Sequence, residues 1–208
     1  VNFRNKSLLD RQFLYSFSPY YSSGTNSFTG SGGISYSFRP AESFYQKLNF
    51  GASASYFHYN FNLAYRKFTA FSSINFAKNP RSQISKNIGF SYEYVKKDLT
   101  ETMIKNGDYG KYNLWNTYFS FSDNKAIHER YFNVVLQSMD DFQKINSEAF
   151  YRWEYAQNKK ISFRMFGGYF LSNHTKNNTC NIGVSRLSNY AFSYGLLGQS
   201  ATSGIFSQ

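Results

Sequence analysis

The sequence predicts an all-β fold: an antiparallel, up-and-down transmembrane β-barrel of about ten to twelve strands, formed by a single domain over residues 1–208. Three observations carry that reading. Aromatic and apolar residues alternate with polar ones along nearly the whole chain. The alternating segments are long. The connections between them hold turn-forming residues and sort into two kinds that alternate along the chain.

Aromatic residues make up 21% of the chain, with 23 Phe and 19 Tyr, yet apolar residues overall reach only 41%. Mean hydropathy is −0.53. A water-soluble domain gathers its rings in one core, because each ring buries a large apolar area. Here they recur one residue apart. Ile88, Phe90, Tyr92 and Tyr94 are separated by Gly89, Ser91 and Glu93. Ala149, Tyr151, Trp153 and Tyr155 are separated by Phe150, Arg152 and Glu154. Ile161, Phe163, Met165, Gly167, Tyr169 and Leu171 continue the pattern. Successive strand side chains point to opposite faces, so each set lines one face of a sheet. No stretch approaches the roughly 18 apolar residues of a transmembrane helix, and barrel strands keep window averages low by alternating.

The alternation places strands near 12–22, 30–39, 44–57, 62–77, 84–97, 111–122, 128–139, 144–157, 160–173 and 179–195. Most exceed the ~5–6 residues common in soluble proteins and reach the ~9–11 that a tilted membrane-crossing strand needs. Short turns are expected at 39–43, 77–82, 122–127 and 156–160, where Pro40, Pro80, Asp123, Asn124 and Asn158 lie. More variable loops are expected at 22–29, 57–62, 96–111, 138–144 and 172–179. Short turns at one end and longer loops at the other are the habit of outer-membrane barrels, and the long 99–110 segment suits an exposed outer loop.

Two sets of residues are candidates for a role. Tyr20, Tyr21, Tyr56, Tyr59, Tyr94, Trp115, Trp153, Tyr155 and Tyr194 fall near strand ends and form a candidate aromatic girdle. Tyr and Trp favour the membrane–water boundary, where one end of the ring is wet; the competing explanation is that aromatics favour strands anyway. Glu93, Arg152, Glu154 and Arg164 alternate with the lipid-type rings, so they should face the lumen. A barrel of this size is largely filled by its inward side chains. These four are expected to form an ion-pair network that plugs the interior.

Net charge is +11. Lys and Arg sit mostly between strands, and there is no run of five or more like charges, which suits solvated turns better than a nucleic-acid site. One cysteine, Cys180, excludes an internal disulfide. The first residues lack the apolar core of a signal peptide, so the chain reads as mature or as an excerpt. Its end, Ile205-Phe206-Ser207-Gln208, follows a Gly/Ser-rich turn rather than closing on a terminal aromatic, and also reads as an excerpt.

No motif carries catalysis, a cofactor or a metal. His58, His128 and His174 are far apart, and His128-Glu129 lacks the second histidine of a zinc-protease helix, since position 132 is Phe. Gly32-Gly33 has no Lys-Ser or Lys-Thr after it, so it is not a phosphate loop, and no Gly-x-Ser-x-Gly elbow occurs. Asp140-Asp141 reads as a solvated loop pair.

The stretch 44–98, with QKLNFGASASYFHYN and YRKFTAFSSINFAKNPRSQISKNIGFSYEYVKKD, and the stretch 188–208, SNYAFSYGLLGQSATSGIFSQ, resemble the C-terminal barrel of large Gram-negative membrane-bound proteins with an aminopeptidase-N-like (gluzincin) domain. The resemblance implies a membrane anchor in the outer membrane of a Gram-negative bacterium. Its partners would be outer-membrane lipid and lipopolysaccharide, together with other outer-membrane proteins in a complex, and nucleic acid is not expected. Any zinc would belong to a preceding peptidase domain, whose motif is missing here, so no catalytic residue is carried over. Two other readings compete: a free-standing porin, transporter or assembly-machinery subunit, and a soluble β-rich binder of nucleic acid or glycans.

Overall fold

The computed structural model describes residues 3–5, 11–23, 26–40, 43–60, 63–76, 82–125 and 128–175. The described chain is one ten-stranded sheet. Its strands are β1 (Phe3–Arg4), β2 (Phe13–Ser22), β3 (Ser27–Phe38), β4 (Lys47–Asn60), β5 (Leu63–Asn75), β6 (Ile84–Lys97), β7 (Lys111–Asn124), β8 (His128–Met139), β9 (Phe142–Ala156) and β10 (Lys159–Asn173). A short helix, α1 (Glu101–Lys105), interrupts the β6–β7 connection. Each strand pairs with the next in sequence, in the order β1 to β10. All nine pairings are antiparallel.

This is the expected up-and-down meander, but it is not a closed barrel. Among the described residues the sheet is open, with β1 and β10 at its two edges. β1 is two residues long and pairs only with Phe17 and Ser16, midway along β2. The expected strand 179–195 lies outside the described residues.

The connections also depart from expectation. At one end of the sheet they span 23–26, 61–62, 98–110 and 140–141; at the other they span 5–12, 39–46, 76–83, 125–127 and 157–158. Each end mixes tight turns with longer segments, so length does not distinguish the ends. The reason is that strands run on into supposed loops: β4 extends to Asn60 and β9 begins at Phe142. The first end, which carries α1, is called the helix end below.

Register assigns every strand residue to a face, because residues directly opposite share a side. Ser31, Ser55, Lys67 and Val95 lie in one cross-strand row. Ser53, Thr69, Glu93 and Leu114 lie in the next. The opposite side carries Ile34, Ala52, Ala70, Tyr92 and Trp115 in a single row. One side is therefore mainly Ser, Asn, Gly, Lys and Glu, and the other mainly apolar.

Burial is inverted relative to a soluble fold. The exposed large residues of the strands, among them Phe17, Phe28, Phe50, Phe90, Phe132, Phe163 and Met165, all fall on the apolar side. Phe28 and Met165 are each 74% exposed. The polar side holds Lys144 at 0% and Asn146 at 1%. A single sheet hides the side chains of one face only by curling around that face, so the polar side is the concave one.

A core does exist, but it sits at one end. Phe57, Tyr65, Val95, Tyr112, Leu114, Met139 and Phe142 form a buried cluster, with Tyr59, Tyr109 and Phe170 packed against it. All the strand members lie at the helix-end termini of β4 to β10. The concave side is thus apolar at the helix end and mixed along the rest of its length, where Phe71, Val135, Phe150 and Phe166 stand among its polar residues.

Candidate functional site: the apolar and polar faces

The convex face is a band with charged margins. In β6 it reads Lys86, Ile88, Phe90, Tyr92, Tyr94, Lys96. In β7 it reads Lys111, Asn113, Trp115, Thr117, Phe119, Phe121, Asp123. In β8, His128 and Arg130 precede Phe132, Val134 and Leu136. At the margin away from the helix end, Asp123 Oδ2 accepts from Arg130 Nη2 at 2.9 Å and lies 3.6 Å from Lys125 Nζ.

Of the nine candidate girdle residues, six lie on this face. Tyr21, Tyr56, Tyr94 and Trp115 stand in its helix-end half, and Trp153 and Tyr155 stand at the other margin. Trp115 packs against Tyr92 at 4.4 Å and Phe90 at 5.4 Å between ring centroids. Two candidates point the other way. Tyr20 is opposite Thr29 on the polar side. Tyr59 packs against the buried cluster and its hydroxyl donates to the Asp98 carbonyl. Sequence alone did not separate these two because neighbouring rings, Tyr20-Tyr21 and Phe57 to Tyr59, blur the two-residue period. Tyr194 lies outside the described residues.

The four candidate lumenal charges all lie on the polar face, but they do not bond one another. Each pairs with a residue on an adjacent strand. Glu93 meets Lys67 Nζ at 2.7 Å. Arg164 Nε donates to Glu148 at 2.5 Å. Glu154 lies 3.5 Å from Lys160 Nζ. Arg152 donates to Glu129, and its Nε reaches Ser162 Oγ at 3.4 Å. Three of the pairs therefore form a ladder over β8, β9 and β10, and the Glu93–Lys67 pair stands apart on β5 and β6. The partners Lys67, Glu129, Glu148 and Lys160 escaped sequence reasoning, since strand register decides who stands opposite whom.

A neutral ladder runs beside them. Gln137 Nε2 donates to Asn116 Oδ1 at 2.8 Å, and Asn116 Nδ2 donates to Ser91 Oγ at 3.3 Å, linking β8, β7 and β6. Nearer the far end, Ser37 Oγ donates to Asn49 at 3.0 Å and Asn75 Nδ2 to Ser85 Oγ at 3.1 Å. These four bonds join polar side chains across strands, the usual way of satisfying polar groups removed from bulk water.

The 98–110 connection is tied down at both sides of the helix end. Thr100 caps α1 by accepting from the Met103 N–H at 3.3 Å. Asp98 Oδ2 accepts from the Ala64 N–H at 3.0 Å, tying the start of the connection to β5. Tyr109 donates to Asp141 Oδ2 at 2.8 Å, fixing its far side to the β8–β9 turn. Asp141 thus serves as a tether in the expected loop position.

The histidines stay apart. His58 bonds Ser27 and Tyr56, His128 meets Tyr151, and His174 meets Ser172. Among the described residues no group of three metal-ligating side chains gathers. No known protein family, curated protein or solved structure matches this chain.

Proposed function

We propose that this chain is part of the wall of an outer-membrane β-barrel and acts as a membrane anchor, with no chemistry of its own. The observation that carries the reading is the inverted burial: the large exposed rings share one face, while Lys144, Asn116, Gln137 and Asn146 are buried on the other. In water that arrangement exposes a large continuous apolar surface, whereas hydrocarbon is its natural solvent.

The height of the band agrees. Lys86 and Lys96 bound it on β6, ten residues apart. At ~3.3 Å per residue that is about 33 Å along the strand, or about 25 Å of vertical height at a tilt of ~40°, the height of an outer-membrane apolar band. The open edges of β1 and β10 fit the reading on one condition. Unpaired strand groups in lipid cost several kcal/mol each. Closure then comes from strands outside the described ones or from a second chain.

The resemblance of 44–98 and 188–208 to barrels that follow an aminopeptidase-N-like domain supports a peptidase-like body as the anchored cargo, and any zinc would reside there. The buried cluster of rings at the helix end of the concave side favours an anchor over an open pore. Membrane fractionation followed by boiled and unboiled gels tests the reading. Recovery in the outer membrane with heat-dependent mobility supports it, and a protein soluble without detergent overturns it.

A further inference from the structure

Three cations stand side by side on the apolar face. Arg66 is directly opposite Lys96, and Lys96 is directly opposite Lys111, across β5, β6 and β7. All three are exposed. Like charges facing each other across strands repel. Among the described residues none of the three forms an ion pair. The neighbouring carboxylate of Asp98 is held by the Ala64 backbone. Aromatic rings brace two of them: Arg66 lies 5.5 Å from the Tyr56 ring centroid and Lys111 lies 5.7 Å from that of Tyr94. The rings hold the cationic heads at the margin of the band.

The row borders a groove. On the same face, Gly30 and Tyr56 continue the Arg66 row toward β3, and Gly32, Ala54 and Phe68 form the next row inward. A depression of about 750 Å³ runs along these rows, lined by Phe28, Gly30, Gly32, Phe68 and Arg66 among others. A hydrocarbon-lined groove running away from a cationic row has the shape of an acylated anion.

We propose that Arg66, Lys96 and Lys111 bind the headgroup of a membrane lipid carrying two phosphate groups, with one acyl chain lying in the Gly30–Gly32 groove. The proposal rests on the membrane reading above. Three cations spread over two strand spacings cover about 10 Å, which suits two phosphates better than the single charge of a phosphodiester.

The test measures lipid retention by the whole chain in neutral detergent, using native mass spectrometry. The probes are diphosphoryl lipid A, its monophosphoryl form, phosphatidylglycerol and phosphatidylcholine. Wild type should retain the diphosphoryl lipid at least about tenfold better than phosphatidylglycerol. At about 1 kcal/mol per cation, the triple variant Arg66→Gln, Lys96→Gln, Lys111→Gln should lose on the order of 100-fold. Lys111→Gln alone should lose about fivefold, which serves if the triple variant does not fold. Lys86→Gln, at the opposite margin, should change little. A heat-dependent gel shift establishes that each variant is folded. Unchanged retention in a folded triple or single variant overturns the site, as does equal retention of phosphatidylglycerol. In both cases the membrane reading stands. A wild-type chain soluble without detergent overturns both.

Discussion

Gly89 sits on the polar face directly opposite Tyr118, and the tyrosine ring lies over it: a Cβ at Gly89 would fall 2.1 Å from the ring. The ring supplies the cover that glycine lacks, a pairing that steadies strand glycines. Gly89→Val must displace Tyr118 and should lower stability by about 1–3 kcal/mol, read as a lower temperature for the gel mobility shift. The polar contacts divide by exposure. Asn116 bridges Gln137 and Ser91 in a buried setting, so Asn116→Ala strands the Gln137 amide and should cost about 1–3 kcal/mol. The Arg152–Glu129 pair is more than a third exposed on both sides, so Arg152→Ala should cost under about 1 kcal/mol. A result in which Arg152→Ala destabilises more than Asn116→Ala would reverse this ranking.

At the scale of the strand, the two-residue period has opposite consequences on its two faces. Phe90→Arg places a charge in the apolar band and should cost about 2–4 kcal/mol if that face meets hydrocarbon. Ser53→Arg points to the polar side, within reach of a roomy pocket shared with Glu93 and Lys67, and should be tolerated. Denaturant midpoints in detergent compare the two, and similar costs would contradict the facial assignment. β6 shows how much of this was legible in sequence: the alternation from Ile84 to Lys97 is clean, and the observed bounds coincide with the expected ones. Less regular segments hid more. β3 begins at Ser27 rather than 30, because Ser27 to Gly30 reads as turn-rich. β1 is too short to show a period. α1 has five residues and is fixed by the Thr100 cap, a signal that charges and glycines of the same loop obscured. The ion-pair partners and the three-cation row needed register, which alternation within one strand does not encode.

Taken whole, the described residues form a curled ten-stranded meander with an apolar convex face, a mainly polar concave face and a cluster of buried rings at the helix end. Phe142 is 1% exposed within that cluster and packs edge-on with Phe170, 6.2 Å between centroids. Phe142→Ala should cost about 3–5 kcal/mol and raise ion leakage through reconstituted bilayers, whereas wild type should conduct little. High conductance from wild type would remove the argument for an anchor. The sheet's direction relative to lipid is the central claim, and accessibility along β6 tests it most directly. Spin labels would be placed singly at 88 through 93 in a Cys180→Ser background, in reconstituted protein. Labels at Ile88, Phe90 and Tyr92 should relax rapidly with lipid-dissolved oxygen, and those at Gly89, Ser91 and Glu93 should not. Uniform accessibility, or alternation of the opposite phase, would contradict a membrane-facing apolar wall.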